Sequence, residues 1–538
     1  MMNKTNKLLL AIVCLISSIG TISAQYNWNN WSPGTKKVGY VMNIIEKMYV
    51  DNIEDDTLSE DAIKALLEKL DPHSSYATAD EVKEMNEPLE GNFDGIGVSF
   101  NMLSDTLYIV ETIAGGPSEK VGILAGDRII SVNDTLIAGV KMVNRDIMKR
   151  LRGPKGTSVN VKIARRGVAN LLDFKIIRDK IPINSLDASY MIDSKTGYIR
   201  LSRFGATTLK EFQDALFKMQ KEGLQNIILD LQYNGGGYLS AAIGIINECL
   251  GKDKLIVYTE GVHQPRTSEK SNSKGAFENG KIVILVNESS ASASEIVSGA
   301  IQDWDRGLIV GRRTFGKGLV QRQIPLPDGS MIRLTVARYY TPTGRCIQKP
   351  YSGGNREAYD QELIGRYNHG EMVSSDSIHF PDSLKYKTLV TGRTVYGGGG
   401  IMPDYFVPLD TTQYSEYYGK LNAKGLINKV ALNELDDKRK SLHSKYCDFK
   451  QFKLNYKVPQ PLFEALIKAG KDEGIEFNQK EFDQSKATIE NYIKALIARD
   501  LFDSNAFYQI INERNDIYVK GLEIINNNKQ YNQLLQGL

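Results

Sequence analysis

The feature that most constrains this sequence is a series of largely apolar runs between residues 197 and 313. The runs are GYIRLS (197–202), NIILDLQ (226–232), LIVYTE (255–260), KIVILVN (281–287) and LIVGRR (308–313). Helical stretches lie between them, from Leu209 to Glu222, after Gly237 and from Ser292. Apolar strands that alternate with helices predict an α/β fold whose sheet is covered on both faces.

Other patterns flank this region and predict several domains, because 538 residues exceed what one hydrophobic core usually holds. Residues 25–88 carry apolar side chains at helix spacing, which predicts a helical N-terminal domain. From 89 to 168 the pattern changes to short strands with glycines at the corners, and two short helices fit near Ser118–Val121 and Val143–Leu151. A unit of five or so strands and two helices has the shape of a PDZ domain.

The α/β core is expected to span residues 169–409. Within it, the polar and glycine-containing stretch at about 353–398 looks like an insertion. Residues 410–538 are helical in pattern, charged and without a recognisable motif, so we expect a helical C-terminal extension of unknown role.

The first residues predict export. Two lysines precede an apolar run from Leu8 to Ile19, and small and polar residues follow, ending at Ala24. This layout is typical of a secretory signal peptide over residues 1–24. The run is too short to cross a bilayer comfortably, and Cys14 lacks the preceding small residue of a lipoprotein site. We therefore expect an exported, periplasmic protein, and membrane association stays open.

Charge and cysteine content exclude several classes of protein. The formal net charge of +3 falls to +1 once Lys4 and Lys7 leave with the signal peptide, which favours neither nucleic acid nor anionic membrane as a partner. The remaining cysteines, Cys249, Cys346 and Cys447, are too widely spaced for a metal site or a disulfide framework. At most one disulfide bridge is expected.

Ser292 is a candidate nucleophile. It follows the buried run KIVILVN and a tight turn, and it stands where a helix begins. Free backbone N–H groups and the positive end of the helix dipole meet there, and the Ala293 N–H could stabilise an oxyanion. The alternative is structural, since Ser292-x-x-Glu295 also matches a capping box in which serine only caps the helix.

A serine nucleophile needs a base, and histidine is the usual one. His263, in the loop after LIVYTE, is the one histidine that the pattern puts near the sheet, so a Ser-His pair is weakly supported. The five histidines lie at positions 73, 263, 369, 379 and 443.

Lys317 is the alternative base. An exposed lysine has a pKa near 10.4, so burial must lower it by about three units before the amine can act at neutral pH. Gly316 and Gly318 flank the lysine and let other backbone approach, and Phe315 could exclude water. Gln321 lies four residues on, on the same face of an extended run, and could orient the amine. Taken alone, Lys317 would fit a lysine of a surface turn, and Gln321 would fit an exposed strand residue.

Taken together, VNESSASASEIVSGAIQDWDRGLIVGRRTFGKGLVQ closely resembles the signature of the C-terminal processing (tail-specific) peptidases. The resemblance implies a crotonase-like core with a Ser-Lys dyad: Ser292 as nucleophile, Lys317 as base and Gln321 as the supporting glutamine. It extends over about residues 38–408, through LDPHSSY (70–76), the PDZ segment, LDLQYNGGGYL (229–239), ARYYTPTGRCIQ (337–348) and GGIMPD (399–404). No metal or cofactor is implied.

The resemblance also implies that a glycine of LDLQYNGGGYL helps to form the oxyanion hole. Gly236 is the first choice and Gly237 the second. Gln232, Gly235 and Ser289 depart from the residues usual in the family, namely arginine, proline and glycine. These departures leave the identity of the oxyanion glycine open.

PDZ domains bind a free C-terminus as an added strand, which implies protein substrates with apolar tails. Ile147 and Leu151 could line the pocket for the last side chain, or could be ordinary core residues. The carboxylate loop is expected at Gly95, Ile96, Gly97 and Val98. The C-terminal helices could bind an adaptor, form a homo-oligomer or cover the core.

Two rival functions remain from sequence. One is a binding protein without catalysis, built as a PDZ scaffold or a carrier of apolar ligands. The other is a histidine-dependent esterase that uses His263.

Overall fold

A computed structural model describes residues 31–102, 105–272 and 275–538, so the predicted signal peptide lies outside the described residues. The chain divides into two compact units, residues 1–69 and 70–538. In the described part of the first unit, helix α1 spans Pro33–Met48 and helix α2 spans Asp55–Glu68. Over the described ranges, no helix is both long and apolar enough to cross a membrane.

The second unit begins with a segment that the sequence pattern assigned to the helical domain of residues 25–88. Strand β1, Ser75–Ala77, instead pairs antiparallel with residues 331–333, and helix α3 follows at Ala79–Glu90. The Asp71 carboxylate produces the change of direction, because it accepts the N–H groups of His73 and Ser74 and the Ser74 hydroxyl. Helical periodicity alone does not register such a turn. The N-terminal region is therefore not helical throughout.

The predicted PDZ region forms a six-stranded antiparallel sheet in the order β3-β4-β5-β7-β8, with β6 beside β5, and a separate pair of β2 with β9. Strand β7 alternates inward and outward, so that Val159, Val161 and Ile163 are buried in the core of this sheet. The elements are β2 Asn92–Gly95, β3 Val98–Met102, β4 Leu107–Thr112, α4 Pro117–Lys120, β5 Arg128–Val132, β6 Thr135–Leu136, α5 Asn144–Leu151, β7 Ser158–Ala164, β8 Leu172–Ile177 and β9 Asp179–Pro182.

The α/β core follows and contains two main sheets. Its elements are β10 Leu186–Met191, β11 Thr196–Leu201, α6 Thr208–Lys221, β12 Asn226–Asp230, α7 Leu239–Cys249, β13 Leu255–Gly261, β14 Gln264–Lys270, β15 Lys281–Val286, α8 Ala293–Asp303, β16 Leu308–Gly311, β17 Leu319–Pro325, β18 Met331–Tyr340, α9 Arg356–Asn368, β19 Lys385–Lys387, β20 Thr394–Tyr396 and β21 Tyr405–Phe406.

The larger sheet of the core has the order β10-β11-β12-β15-β16-β21 and is parallel from β11 onwards. The smaller sheet has the order β1-β18-β13-β14, with β17 also paired to β18. The run LIVYTE was expected in the same sheet as the other apolar runs, but it forms β13 of the smaller, antiparallel sheet. The reason is that a hairpin to β14, rather than a helix, connects it to the next strand.

The stretch predicted as an insertion, about 353–398, packs closely on the core. In α9, Arg366 is buried, and its guanidinium donates to the carbonyl oxygens of Thr314 and Phe315 at 2.8 and 3.0 Å. These carbonyls lie three and two residues before Lys317. Although most of the stretch is exposed, a few of its charged side chains are buried and hold backbone groups of the core.

Eight helices form the described C-terminal region. They are α10 Glu416–Ala423, α11 Leu426–Lys445, α12 Phe449–Asn455, α13 Gln460–Asp472, α14 Gln479–Leu501, α15 Ser504–Ile511, α16 Asp516–Asn526 and α17 Asn528–Gln536. Those from α10 to α15 share a hydrophobic core of their own. Helix α16 covers one face of the parallel sheet, where Ile517, Ile524 and Ile525 pack with Val283 and Leu285.

The C-terminal helices also contact the predicted PDZ region. Arg128 of β5 pairs with Asp436 of α11 at 2.6 Å, and Arg166 pairs with Asp437 at 2.6 Å. Beside these pairs, Val110 and Leu432 form a small buried apolar cluster with Tyr108. Of the three roles that the sequence left open for these helices, covering other parts of the chain is the one seen within the monomer.

Candidate active site

Ser292 lies at the start of α8 in a conformation that a serine seldom adopts. Its φ of 55° and ψ of −113° fall outside the regions that are comfortable for a residue with a side chain. Such a backbone costs on the order of 1–3 kcal/mol and persists only where the surroundings enforce it. The contacts of Ser292 identify what enforces it.

Glu295 is the first of these contacts and it also holds Lys317. The backbone N–H groups of Ser292 and Lys317 donate to Glu295 Oε2 at 2.8 and 2.9 Å. The other oxygen, Oε1, accepts the Thr314 hydroxyl at 2.5 Å and the Gly316 N–H at 2.7 Å. Burial raises the pKa of Glu295 to about 7, although all four hydrogen bonds favour the ionised form. The capping motif seen in the sequence thus joins the helix start to the lysine loop.

Tyr339 of β18 makes a second connection between the same two residues. Its buried hydroxyl lies 3.2 Å from the carbonyl oxygen of Ser292 and also contacts the carbonyl oxygen of Lys317. Ser292 and Lys317 are therefore linked through their N–H groups by Glu295 and through their carbonyls by Tyr339. Together these contacts fix the relative position of the two backbones.

The environment of Lys317 favours a neutral amine. Burial, followed by the positive charge of Arg333, lowers the pKa of Lys317 to about 8, while Glu295 and Asp71 oppose the shift. With this pKa about one amine in ten is neutral at pH 7, compared with about one in 2,500 for an exposed lysine. The lysine is thus suited to accept a proton near neutral pH.

Gln321 does not bond to Lys317. Strand β17 begins at Leu319, after Lys317, and a bulge between Val320 and Gln321 breaks the alternation on which the same-face prediction depended. The Gln321 amide instead donates to the Thr335 hydroxyl at 3.3 Å. That hydroxyl donates in turn to Asp71 at 3.0 Å.

The histidine nearest to Lys317 is His73, not His263. His263 is exposed at the turn between β13 and β14. His73 follows the Asp71 turn, and its Nε2 lies 2.9 Å from the Tyr359 hydroxyl. Burial and the charge of Lys317 lower the pKa of His73 to about 4, so this ring is a very weak base. The His263 alternative loses its structural support.

The glycine loop 235–237 lies directly against Ser292. A Cβ on Gly236, whose φ is 101°, would be 2.7 Å from Ser292 Cβ and 3.0 Å from Ala293 N. The Gly236 N–H donates to Asn234 Oδ1 at 2.9 Å, so it is occupied. Within the described ranges, the N–H groups of Gly237 and Ala293 have no acceptor. The two N–H groups are therefore available to an oxyanion, with Gly237 ahead of Gly236.

Asn234 attaches this loop to the turn that carries Ser292. Its carbonyl oxygen accepts the Ala291 N–H at 3.0 Å and the Ser294 hydroxyl at 2.8 Å, on either side of Ser292. Its side chain is fully buried and also donates to the Leu201 carbonyl. The two N–H groups and the serine thus belong to one rigid assembly.

Comparison with known proteins identifies the family. The profile of peptidase family S41 matches residues 195–354, a PDZ-domain profile matches 95–176, and the profile of a family of unknown function matches 417–503. The carboxy-terminal-processing protease of Bartonella bacilliformis is 37% identical over 347 residues, which cover 63% of this chain and 79% of that protein. The chain belongs to the carboxy-terminal-processing proteases. It is therefore a serine-type peptidase with a PDZ domain.

A second relative agrees with this assignment. The carboxy-terminal processing protease CtpA of Bacillus subtilis is 34% identical over 343 residues, covering 63% of this chain and 72% of its own. Among solved structures, the photosystem II D1 C-terminal processing protease is 28% identical, with a TM-score of 0.35, and covers 59% of this chain and 84% of its own.

In the PDZ domain of this protease, the predicted carboxylate loop, residues 95–98, lies between β2 and β3. The carbonyl of Ile96 accepts both the N–H and the hydroxyl of Ser118, at 3.0 and 2.6 Å. Strand β3 pairs only with β4 in the part of the chain that the structure describes, so its other edge is open. Ile147 and Leu151 are buried among the domain's core residues, and their role in a tail pocket stays a prediction.

Several residues around Ser292 and Lys317 had no recognised role in the sequence. Glu295 was visible only as a helix cap, and Tyr339 only as part of a motif that resembles the family. Asp71 and Thr335 are distant in sequence and meet through the pairing of β1 with β18. No local pattern predicts that pairing, because β1 is only three residues long.

Proposed function

We propose that this protease is exported and hydrolyses peptide bonds of protein substrates with Ser292 as nucleophile and Lys317 as base. The observation that carries the proposal is the shared carboxylate oxygen of Glu295, which binds the backbone N–H groups of both residues. A dyad requires this kind of fixed proximity, since proton transfer demands hydrogen-bond reach.

In the proposed reaction, neutral Lys317 takes the Ser292 hydroxyl proton as the serine oxygen attacks the substrate carbonyl carbon. The resulting oxyanion accepts hydrogen bonds from the N–H groups of Ala293 and Gly237, and each such donor contributes roughly 3 kcal/mol. Collapse of this intermediate breaks the peptide bond, and the Lys317 ammonium returns the proton to the leaving amine. Water then hydrolyses the acyl-enzyme by the same steps.

Substrate selection is assigned to the PDZ domain. The open edge of β3, next to the loop at residues 95–98, supports binding of a C-terminal tail as an added strand. The tail is expected to be apolar. The substrates are therefore proteins whose C-termini are free and extended.

Substitution of the dyad tests the mechanism. We expect Ser292→Ala and Lys317→Met each to abolish cleavage of a protein that carries an apolar C-terminal tail, followed by gel electrophoresis and mass spectrometry. Ser289→Ala, in the same turn, is the matched control and should retain activity. Thermal unfolding of each variant separates loss of chemistry from loss of fold. Substantial cleavage by either dyad variant would refute the mechanism.

Export is tested separately. The signal peptide pattern of residues 1–24 motivates it, and we expect the purified mature protein to begin at Gln25 by intact mass. Recovery from the periplasmic fraction would support export. Recovery of the unprocessed chain from the cytoplasm would contradict it.

A further inference from the structure

Arg333 lies on the face of the β17-β18 hairpin that is directed to the active site. On β18, residues 333 and 335 share a face because side chains alternate along a strand. Across the hairpin, Thr335 is opposite Gln321 and Arg333 is opposite Gln323. Because Thr335 contacts both Gln321 and Asp71, this face is the one that borders the dyad.

The charge of Arg333 acts directly on the site. It is the second largest cause, after burial, of the lowered pKa of Lys317. Burial also lowers the pKa of Arg333 itself, which shows that its guanidinium is partly removed from water. The hairpin therefore places a partly desolvated positive charge beside the general base.

Within the described residues, Arg333 has neither a hydrogen bond nor an ion pair. Other buried arginines of the core have partners within the chain. Arg306 donates to three backbone carbonyls, and four others hold carboxylates: Arg312 with Glu288, Arg313 with Glu371, Arg345 with Asp303 and Arg366 with Glu362. A half-buried cation without a counter-charge destabilises a fold, and such a cation is usually paired with a carboxylate. Arg333 has no such carboxylate in the part of the chain that the structure describes.

We propose that Arg333 binds a carboxylate of the substrate next to the bond that is cleaved. The inference rests on the proposed peptidase function and adds a charge preference to it. A planar guanidinium with free donors matches a carboxylate in two-point geometry, which fixes orientation as well as charge. The carboxylate belongs either to an aspartate or glutamate side chain near the cleaved bond or to the end of the substrate chain.

The alternative is that Arg333 serves only to keep Lys317 neutral. That role would change the rate for every substrate by the same factor and create no preference among substrates. The ratio of kcat/KM between an acidic and a neutral substrate therefore distinguishes the two roles. A general loss of activity cancels from this ratio.

The test uses synthetic peptides with an apolar C-terminal tail, whose cleaved bond is first mapped by mass spectrometry. Glutamate or glutamine is placed at the residues flanking that bond, and each peptide is made with a free or an amidated C-terminus. We expect wild type to favour one carboxylate-bearing form by about tenfold in kcat/KM. Arg333→Met should reduce this ratio to about one, and Arg333→Lys should keep part of it.

Arg322→Met is the matched control. Arg322 is an exposed arginine of the same hairpin, and it neighbours Gln321 in the strand and so points to the opposite face. This variant should retain the wild-type ratio. An effect of amidation alone would assign the carboxylate to the chain end, and an effect of glutamate alone would assign it to a side chain.

Two outcomes overturn the proposal. One is a wild-type enzyme that cleaves all the peptides without preference, and the other is an Arg333→Met variant that keeps the full ratio. The first outcome needs no variant, so it stands even where Arg333→Met fails to fold. Absence of any Ser292-dependent cleavage would instead contradict the proposed function itself.

Discussion

The backbone N–H groups of Ser292 and Lys317 converge on a single oxygen, at 2.8 and 2.9 Å. Because that oxygen belongs to a side chain of the first turn of α8, the helix fixes not only its own N-terminus but also the loop before β17. The proposed nucleophile and its proposed base thus depend on one buried carboxylate.

Replacement of this carboxylate by an amide should therefore weaken both fold and chemistry. Glu295→Gln turns one acceptor oxygen into an NH2 group that faces N–H donors, and a buried donor left without a partner costs about 1–3 kcal/mol. We expect the free energy of unfolding in urea to fall by about this amount. We also expect kcat to fall about a hundredfold with little change in KM, because geometry is lost rather than binding. Glu269→Gln, on exposed β14, is the control, and an unchanged kcat in Glu295→Gln would contradict the idea.

The pH dependence of the reaction should follow Lys317. Because only the neutral amine accepts a proton, kcat/KM should rise with pH through a midpoint near 8, the value to which the pKa of Lys317 is lowered. In Arg333→Met the loss of a positive charge raises this pKa, so the midpoint should move to higher pH. Steady-state rates between pH 5 and about pH 10 measure both.

The pH midpoint also distinguishes a lysine base from a histidine base at position 73. The pKa of His73 is lowered to about 4, so a histidine base at this position would put the midpoint near pH 4. We expect His73→Ala to leave the midpoint near 8, because a lysine amine sets it. A wild-type enzyme that is fully active at pH 6 would contradict lysine as the base.

The lowered pKa of Lys317 also makes the stability of the protein depend on pH. Since the pKa of Lys317 is lower in the folded protein than the usual 10.5, the unfolded chain holds this proton more tightly at intermediate pH. The contribution of Lys317 to stability is present above about pH 10.5 and is lost as pH falls through about 8. The difference in unfolding free energy between wild type and Lys317→Met should therefore rise between pH 8 and 10.5.

The sequence predicted the parts of this protein that are local. The buried run before Ser292, the helix after it and the short strands of the PDZ domain each have a periodicity of their own, and all are present at close to the expected positions. The fold class, a helical region, a PDZ domain, an α/β core and a C-terminal helical region, is confirmed.

What the sequence did not predict depends on pairing between distant segments. Strand β1 is too short to have a pattern, yet it brings Asp71 and His73 beside Lys317. The bulge at Gln321 breaks the simple alternation on which the predicted contact of Gln321 with Lys317 depended. Both errors have the same origin: strand register is set by tertiary contacts, whereas periodicity reports only one strand at a time.

Substitutions of Gly236 and Gly235 test whether the glycine loop must lie close to Ser292. A methyl group on Gly236 would be 2.7 Å from Ser292 Cβ and would need a positive φ, while nothing lies within 4 Å of a methyl group on Gly235. We expect Gly236→Ala to lower kcat at least about a hundredfold, since displacement of the serine or its oxyanion donors is unavoidable. Gly235→Ala should retain nearly wild-type kcat. Equal kcat values for the two variants would contradict this prediction, because they would show that the loop shifts to accommodate the methyl group without loss of activity.

The contact between the PDZ domain and α11 predicts that residues 417–503, which match a family of unknown function, hold the PDZ domain in place. Arg128 and Asp436 are about three-quarters buried or more and pair at 2.6 Å, next to the apolar contact of Val110 with Leu432. If this contact holds the domain in place, Asp436→Arg should repel Arg128 and increase amide hydrogen exchange in β4. The double variant Arg128→Asp with Asp436→Arg should restore protection, because it recreates the pair with opposite polarity.

Reversal of the exposed pair Lys210 and Asp214 is the control and should leave exchange in β4 unchanged. Equal exchange in wild type and Asp436→Arg would mean that the apolar contact alone holds the domain.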